Sequence, residues 1–391
     1  MESADTPGPA AAPGLEPSLV TRDRPIFDAF PSLQLPFVAL GDFPTPVEPL
    51  DRLARALDSR SVAFVKRDDL SSRIYGGNKV RTLEVLFAQA LEEGATHIYS
   101  TGAFGTNHGT AMLLHAPRVG LQPGLVLWPQ DISTAARENF EVLVGTDVGR
   151  RPSPMLLPHW SALPFGMAWA EHVHQRRGER PFVMVPGGAT PRGAIGYVSA
   201  AFELAEQIER GDLPAPRRIV IAVGSTCTTA GLLLGTHLCA ARGFGWRYPP
   251  TIHAVRVTPW PVTAHSRIVS LAVRTGERLA ELTRDPSAAV SRARLGATLA
   301  VDGSQLGPGY GLATDAGRRA IVAFREAAGF ELDTTYSAKG AAGLVARMRM
   351  DDPGPMLFWS TKSTAPLPPS VAAADARAPR ARRWLERASA S

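Results

Sequence analysis

The sequence predicts an α/β fold in which parallel β-sheets carry helices on both faces. Short apolar segments alternate with amphipathic ones from about residue 25 to residue 366, and residues 219–223 (IVIAV) form a continuous apolar run suited to a strand buried on both faces. The chain has 391 residues, of which 45% are hydrophobic and 20% charged. This length and composition allow a large core and exclude wholesale disorder.

The alternation assigns the elements in order along the chain. Residues 80–93 place apolar side chains at helical spacing and stop at Gly94, which is typical of an amphipathic helix. The predicted strands are residues 61–66, 97–101, 125–128, 182–185, 219–223 and 251–257. The other predicted helices are residues 110–119, 195–210 and 229–242. We find no internal repeat.

The two ends of the chain have a different composition. Residues 1–25 are rich in Pro, Ala and Gly without periodicity and predict a mobile N-terminal arm. Residues 366–391 hold five arginines against Asp375 and Glu386, and they predict a mobile basic tail.

Charge and cysteine content exclude several classes of function. The net charge of +6 is not gathered into a basic helix or run within the body of the chain, so neither a nucleic-acid partner nor a membrane-surface role is expected. No apolar stretch is long enough to span a bilayer, and the N-terminus lacks a secretory pattern. With cysteine at Cys227 and Cys239 only, a reducing, cytoplasmic location is predicted.

Two loops that end predicted strands or open predicted helices carry reactive or polar groups. Lys79 follows Gly76, Gly77 and Asn78 at a helix start, where a lysine amine can form a Schiff base with a carbonyl cofactor, although a solvated lysine in a turn fits the same pattern. In the second loop, Thr106 and Asn107 offer hydroxyl, amide and N–H groups to a carboxylate, or simply cap the helix. The next residue, His108, is taken alone to be a packed or surface imidazole.

Two further loops are rich in glycine and hydroxyl residues. Residues 187–197 hold four glycines and a proline and predict a tight strand-to-helix connection. The other loop opens a helix with hydroxyl groups and is a candidate phosphate cradle, with a simple capping turn as the alternative. Its residues are Gly224, Ser225, Thr226, Cys227 and Thr228. Cys227 is interpreted as a small packed residue rather than a nucleophile.

Taken together, these loops resemble one family of pyridoxal-phosphate enzymes. Two motifs carry the resemblance most specifically: Lys66-Arg67-Asp68-Asp69-Leu70, and Gly76-Gly77-Asn78-Lys79-Val80-Arg81-Thr82-Leu83-Glu84. The segments at residues 105–108, 187–197, 224–231, 309–311 and 332–339 are similar to further family motifs. The family is that of 1-aminocyclopropane-1-carboxylate deaminase and D-cysteine desulfhydrase. The resemblance implies a two-domain tryptophan synthase β-like fold, which is fold type II of the pyridoxal-phosphate enzymes.

The resemblance also implies roles for particular residues. Lys79 would form the Schiff base and move the substrate's α-proton, and Tyr336 would be the active-site tyrosine. Thr106, Asn107 and His108 would hold the substrate carboxylate, with Thr106 also in a catalytic role and Asn107 also near the phenolic oxygen of the cofactor. The remaining cofactor contacts would come from Asn78, from Gly224, Ser225, Thr226, Cys227 and Thr228 at the phosphate, and from Ser337 at the pyridine nitrogen. No metal is expected.

The activity that the resemblance implies is β-elimination from D-cysteine or a close analogue, because Ser337 and His108 stand where the desulfhydrases differ from the deaminases. A deaminase acting on a cyclic amino acid is the alternative, and a cofactor-binding paralogue with little turnover is a second. A nicotinamide-dependent dehydrogenase is disfavoured because no Gly-x-Gly-x-x-Gly follows the first strand.

The resemblance further predicts a domain layout and an oligomeric state. Residues 26–81 and 189–365 would form a large cofactor-binding domain and residues 82–188 a small domain, in a homodimer that acts on a small amino acid.

Three segments depart from the family pattern. Phe104-Gly105 and Thr226-Cys227 replace other residues in the carboxylate and phosphate loops, and Lys362-Ser363 stands in place of two glycines near the end of the body. Lys362 is expected to reach either solvent or a substrate carboxylate.

Overall fold

The computed structural model describes residues 17–146, 152–350, 352, 354–368, 383, 384 and 386. The strands among them are β1 (Val20–Thr21), β2 (Phe37–Val38), β3 (Val47–Pro49), β4 (Ala63–Arg67), β5 (His97–Ala103), β6 (Gln122–Trp128), β7 (Met155–Leu156), β8 (Pro181–Met184), β9 (Arg218–Val223), β10 (Thr251–Arg256), β11 (Leu299–Asp302) and β12 (Met356–Ser360). The α-helices are α1 (Ile26–Ala29), α2 (Asp51–Ala56), α3 (Lys79–Glu92), α4 (Asn107–His115), α5 (Thr134–Gly145), α6 (Leu163–Gln175), α7 (Pro191–Glu209), α8 (Cys227–Ala241), α9 (His265–Thr283), α10 (Arg292–Ala297), α11 (Asp315–Ala328) and α12 (Ser337–Met348).

Two parallel sheets organise the described residues, together with a short hairpin-like pair. The larger sheet has the order β11-β10-β9-β12-β4-β3, in which only the pairing of β3 with β4 is antiparallel. The smaller sheet has the order β7-β6-β5-β8 and is parallel throughout. Strands β1 and β2 pair with each other. The predicted α/β fold with parallel sheets is confirmed.

Both faces of the larger sheet are covered by helices. Alternate residues of β9 point to opposite sides: Ile219 and Ile221 pack into a cluster with apolar side chains of α7, α8 and α9. Val220 packs on the other side with side chains of α11 and α12. A strand buried on both faces must be apolar at every position, and this explains the continuous run at residues 219–223.

Most predicted elements match the observed ones, although the starts of two helices lie three and four residues earlier than predicted. Helix α4 begins at Asn107 because the Thr106 side chain accepts a hydrogen bond from the Gly109 N–H at 3.3 Å. Helix α7 begins at Pro191, where Thr190 caps it through the Gly193 N–H at 3.1 Å. In both helices the capping residue determines where the helix starts. The apolar periodicity on which the prediction rests begins only after that residue. No helix among the described residues is long and apolar enough to cross a membrane.

The predicted mobile ends need correction where the structure describes them. Residues 1–16 lie outside the described residues, but Val20–Thr21 is paired in β1 and the Arg24 side chain is buried against Glu84 at 2.7 Å. This ion pair holds residues 20–24 against α3. In the predicted basic tail, residues 369–382 also lie outside the description, whereas Trp384 packs against Phe104 and Phe140.

The two sheets draw on different parts of the chain. All strands of the smaller sheet lie between residues 97 and 184, and all strands of the larger sheet lie at residues 47–67 or 218–360. Helix α3 connects them, because its apolar residues pack with β5 and β6 on one side and with α7 on the other. The division of the domains at residues 82 and 188 stays a prediction.

A buried charge network ties α3 to the larger sheet and to α7. The Arg81 guanidinium donates to Asp68 at 2.8 Å and to Glu203 at 2.8 Å, and the Lys66 ammonium contacts the same Glu203 carboxylate. The side chains of all four residues are at most 3% exposed. Burial alone would raise the pKa of Glu203, but attraction to Arg81 and Lys66 outweighs it and holds that pKa well below the usual range.

Replacing the Glu203 carboxylate tests this network. We expect Glu203→Gln to lower the free energy of unfolding at pH 7 by roughly 3–5 kcal/mol, because buried cations lose their counter-charge. A carboxylate with a depressed pKa stabilises the fold above its ordinary pKa of 4.5 and loses that contribution as the pH falls below it. The difference from the wild type should therefore shrink by about 1.4 kcal/mol per pH unit below that value.

Urea unfolding at pH 7 and at about pH 3.5 measures both effects. Glu141→Gln is the matched control, since it removes the same charge from the exposed Arg137–Glu141 pair and should cost about 0.5 kcal/mol or less. A difference between wild type and Glu203→Gln that does not change with pH would contradict the assignment.

Candidate active site

Lys79 lies at the first turn of α3, two residues after the second of the two glycines. Its ammonium nitrogen Nζ lies 3.3 Å from Ser225 Oγ, and the neighbouring Asn78 donates from Nδ2 to Thr228 Oγ1 at 2.8 Å. The lysine turn and the predicted phosphate loop are therefore in contact. Burial lowers the pKa of Lys79. A larger fraction of the amine is then uncharged near neutral pH, and only the uncharged form is a nucleophile.

The glycine turn is held in place by the segment that follows β12. Gly77 has φ +90°, and a Cβ at this position would lie 2.6 Å from the Thr361 carbonyl oxygen. Gly76 donates its N–H to Ser363 Oγ at 2.9 Å, and Asn78 donates its N–H to the Thr361 carbonyl at 2.9 Å. Both glycines are required because backbone packs against backbone here. Ser363, one of the departures from the family pattern, supplies one of these bonds.

The predicted carboxylate loop opens α4 beside the same turn. Asn107 Oδ1 accepts from Tyr75 Oη at 3.1 Å and from Asn139 Nδ2 at 2.7 Å. Burial raises the pKa of Tyr75, so its hydroxyl keeps the proton that it donates. Because two donors occupy Oδ1, the Nδ2 amide of Asn107 is oriented away from them. We interpret that N–H₂ group as the donor offered to a ligand.

His108 is buried next to the lysine. Its side chain is 2% exposed, and neither ring nitrogen has a hydrogen-bond partner among the described residues. Burial, with a smaller contribution from Lys79, lowers the pKa of His108 to about 3. The imidazole is therefore neutral at physiological pH. A lone histidine is commonly exposed at the surface or fully hydrogen-bonded in the core, and His108 is neither.

The phosphate loop forms the N-terminus of α8. Thr226 precedes the helix with φ +72° and makes no side-chain cap, so the first N–H groups of α8 have no side-chain partner from it. Exposed helix N–H groups and the helix dipole favour an anion at this position. Cys227 is buried and lies 3.3 Å from the Gly188 carbonyl, in keeping with its interpretation as a packed residue. Gly224 faces Tyr336, whose ring would lie 3.3 Å from a Cβ at residue 224.

Tyr336 and Ser337 open α12 on the other side of the site. Tyr336 Oη hydrogen-bonds with Tyr310 Oη, and burial together with Tyr310 raises the pKa of Tyr336 well above its usual value. Asp333 accepts the backbone N–H groups of residues 335–337 at 2.8–2.9 Å and so fixes this helix start. Ser337 Oγ is buried and has no partner among the described residues.

A small cavity lies between the carboxylate loop and the start of α12. It has an empty volume of about 210 Å³ and is lined by Gly105, Asn107, Gln130, Ala135, Ala136, Asn139, Tyr310, Asp333, Thr335, Tyr336 and Lys362. A larger cavity, with an empty volume of about 1170 Å³, lies along α3, β8 and the start of α7, and no predicted site residue lines it.

Sequence reasoning missed three members of this site, namely Asn139, Asp333 and Tyr75 as a hydrogen-bonding group. Asn139 lies on α5 in a stretch without any motif, and nothing local in the sequence could have identified it. Tyr75 is next to the glycine turn in the sequence, and this position is the one feature that could have identified it.

A separate cluster of His97, His174 and Glu179 lies at the start of β5 and the end of α6. His174 uses Nε2 with Tyr99 at 2.6 Å and Nδ1 with Glu179 at 2.6 Å. Because both ring nitrogens of His174 are engaged by protein groups, we interpret the cluster as a packing network.

These observations fit the cofactor that the sequence resemblance implies. The site offers a buried amine at Lys79, helix N–H groups at α8 without a side-chain cap, and a buried hydroxyl at Ser337 that lacks a partner. The three features correspond to a carbonyl, a phosphate and a ring nitrogen. We propose that Lys79, the residues 224–228 and Ser337 hold these groups.

The left-handed backbone of Thr226 leads to a prediction. A β-branched residue at φ +72° is strained, so Thr226→Gly should raise the free energy of unfolding of the cofactor-free protein by about 1 kcal/mol. Urea unfolding measures this difference. Arg284→Gly is the control, because Arg284 has φ +55° at the exposed end of α9 and should show a similar gain away from the site. A lower free energy of unfolding for Thr226→Gly would mean that the side chain contributes more than the strain costs.

Comparison with known proteins identifies the family. Residues 38–361 match the family described as "Pyridoxal-phosphate dependent enzyme". The chain is 32% identical to nocardicin C-9′ epimerase of Nocardia uniformis subsp. tsuyamanensis, over 86% of this chain and 98% of that protein. It is also 32% identical to D-cysteine desulfhydrase of Salmonella schwarzengrund, over 84% of this chain and 94% of that protein.

Solved structures agree with this assignment. The crystal structure of an ACC deaminase homologue is similar with a TM-score of 0.68 and 27% identity, covering 85% of this chain and 93% of that one. A processed threonine deaminase from Solanum lycopersicum has a TM-score of 0.52 and 16% identity, covering 82% of this chain and 84% of that one, and it shares the fold alone. The chain therefore belongs to the family of pyridoxal-phosphate-dependent enzymes, with pyridoxal phosphate as its cofactor.

Proposed function

We propose that this enzyme catalyses β-elimination from a small D-amino acid of the cysteine type and releases pyruvate, ammonia and sulfide. The observation that carries the proposal is Ser337, whose buried hydroxyl has no partner among the described residues. A neutral hydroxyl does not place a full positive charge on the ring nitrogen as a carboxylate would. Such a weaker electron sink favours prompt loss of a β-substituent over reactions that need a long-lived carbanion.

Lys79 supplies the base in this proposal. Its lowered pKa increases the uncharged fraction of the amine, and this form accepts the substrate's α-proton at Nζ. Bound pyridoxal phosphate supplies the electron sink for the carbon–hydrogen bond that breaks. The sulfur leaves from Cβ with the bonding electron pair, and one water is consumed overall. D-cysteine and water thus give pyruvate, ammonia and hydrogen sulfide.

The remaining residues orient the substrate. Thr106 and the Asn107 amide hold its carboxylate at the start of α4, where helix N–H groups favour an anion. Tyr336 retains its proton because its pKa is raised, and in this proposal its hydroxyl donates to a leaving group or orients it. His108 stays neutral, so it adds no positive charge beside Lys79.

The assembly and location are also proposals. We propose a cytoplasmic homodimer, supported by the free buried thiols of Cys227 and Cys239 and by an exposed apolar surface around α6. There Trp160 is 62% exposed and Phe165 is 68% exposed. Light scattering of Trp160→Ser with Phe165→Ser would give a monomer mass if this surface forms the dimer.

Product formation from D-cysteine tests the function. The enzyme loaded with pyridoxal phosphate should produce equal amounts of pyruvate and sulfide from D-cysteine, with less from L-cysteine. Tyr336→Phe should lower kcat by roughly 10²–10⁴-fold, as expected for loss of a proton-transfer group. Tyr99→Phe is the matched control, since it removes a buried hydroxyl that contacts His174 outside the site, and it should keep the wild-type kcat.

Other products would assign other functions. Ammonia from 1-aminocyclopropane-1-carboxylate without sulfide from D-cysteine would indicate the deaminase alternative. Loss of optical rotation of the amino acid without pyruvate would indicate an epimerase, a reaction named for one of the 32% identical relatives. Cofactor binding with none of these reactions would indicate a paralogue with little turnover.

A further inference from the structure

Lys362 brings a positive charge into the cavity beside the carboxylate loop. It follows β12 and pairs with Gly77 across the glycine turn, and its side chain lines the cavity together with Asn107 and Tyr336. Its Nζ donates to Tyr75 Oη at 2.7 Å and lies 4.8 Å from the centre of that ring. Of the two expectations from the sequence, the contact with Tyr75 favours the site over bulk solvent.

The Lys362 ammonium has N–H donors beyond the one that contacts Tyr75. An ammonium carries three N–H donors, and the hydrogen bond to Tyr75 uses one of them. Within the described part of the chain, no carboxylate lies within ion-pair distance of Lys362. A partly buried cation without a counter-charge is a place where a ligand anion is stabilised.

The other charged side chain that lines the cavity does not fill this role. Asp333 directs Oδ1 and Oδ2 at the backbone N–H groups of residues 335–337. Both oxygens of its carboxylate are therefore engaged by the start of α12. The other polar groups of the described residues around the cavity are neutral amides and hydroxyls, so the Lys362 ammonium is the cationic donor that an entering anion would meet.

We propose that Lys362 is a specificity-determining residue that binds a negatively charged group on the substrate's Cβ, so that the preferred substrates are β-substituted D-alanines with a sulfate, phosphate or thiosulfate leaving group. This proposal rests on the proposed β-elimination and extends it from D-cysteine to substrates with an anionic β-substituent. The cation both attracts such a substituent and stabilises the anion that departs.

The elimination of sulfate from D-serine O-sulfate conserves atoms, electrons and charge. The α-proton goes to Lys79 Nζ, and the Cβ–oxygen bond breaks with its electron pair on the departing sulfate. The three-carbon enamine that remains takes up one water and gives pyruvate and ammonium. The zwitterionic sulfate ester and water thus yield pyruvate, ammonium, sulfate and one proton, with no oxidant or reductant.

The test compares two substrates that differ in the charge of the leaving group. For the enzyme loaded with pyridoxal phosphate, kcat/KM is measured through pyruvate formation with D-serine O-sulfate and with β-chloro-D-alanine, whose β-substituent is neutral. We expect Lys362→Met to lower the ratio of the two kcat/KM values by about tenfold or more, and Lys362→Arg to retain most of the ratio.

Tyr75→Phe is the companion variant. It removes the hydroxyl that holds the Lys362 ammonium in the site but keeps the ammonium itself, so the ratio should fall by less than in Lys362→Met. A ratio that Lys362→Met leaves unchanged would overturn the proposal, and a uniform loss would show that Lys362 acts on Asn107 or on the α-carboxylate instead.

A binding measurement separates this proposal from the proposed function. In a Lys79→Ala background, which removes the proposed base, calorimetric dissociation constants are measured for D-serine O-sulfate and for D-serine. Tighter binding of the sulfate ester that disappears with Lys362→Met supports the anion site even if the wild type forms no pyruvate. Equal binding of the two ligands would overturn the anion site even if D-cysteine is a substrate.

Discussion

The position of the reactive lysine depends on a buried salt bridge two residues further along the same helix. Arg81 on α3 donates to Asp68 after β4 and to Glu203 on α7, and so it fixes the first turn of α3 against the larger sheet. The same Asp68 contributes its carbonyl to the Gly77 N–H at 2.8 Å. Charges buried this completely are costly unless every one is paired, so the network tolerates little displacement. Lys79 lies in the same helical turn and is therefore held in place with Arg81.

The glycine turn connects this rigid charge network to both sides of the site. Because Gly77 has no side chain, the segment after β12 packs directly on the turn and places Lys362 beside Tyr75. Tyr75 in turn orients Asn107 at the start of α4. One short stretch of chain therefore links the lysine, the carboxylate loop and a cation. A site built from contacts between helix starts is well suited to bind phosphate and carboxylate at the same time.

The sequence identified those site residues whose structural position depends on their immediate neighbours in the chain. Lys79 after two glycines and Thr106 at a helix start could be found from motifs, because helix starts and tight turns depend on neighbouring residues. Asn139 could not, because its contact with Asn107 spans 32 residues and depends on how α5 packs against α4. The packing of Trp384 on Phe104 was missed for the same reason, since composition alone describes an Ala- and Arg-rich tail as mobile.

We propose above all that the Lys79 amine receives the cofactor's carbonyl group. The most direct measurement is a visible absorption titration of the purified protein with pyridoxal phosphate, before and after D-cysteine, alongside Lys79→Ala. We expect a band of lysine-bound pyridoxal phosphate that changes with D-cysteine and is absent from the variant. A band that persists in Lys79→Ala, or no band in the wild type at saturating cofactor, would contradict it.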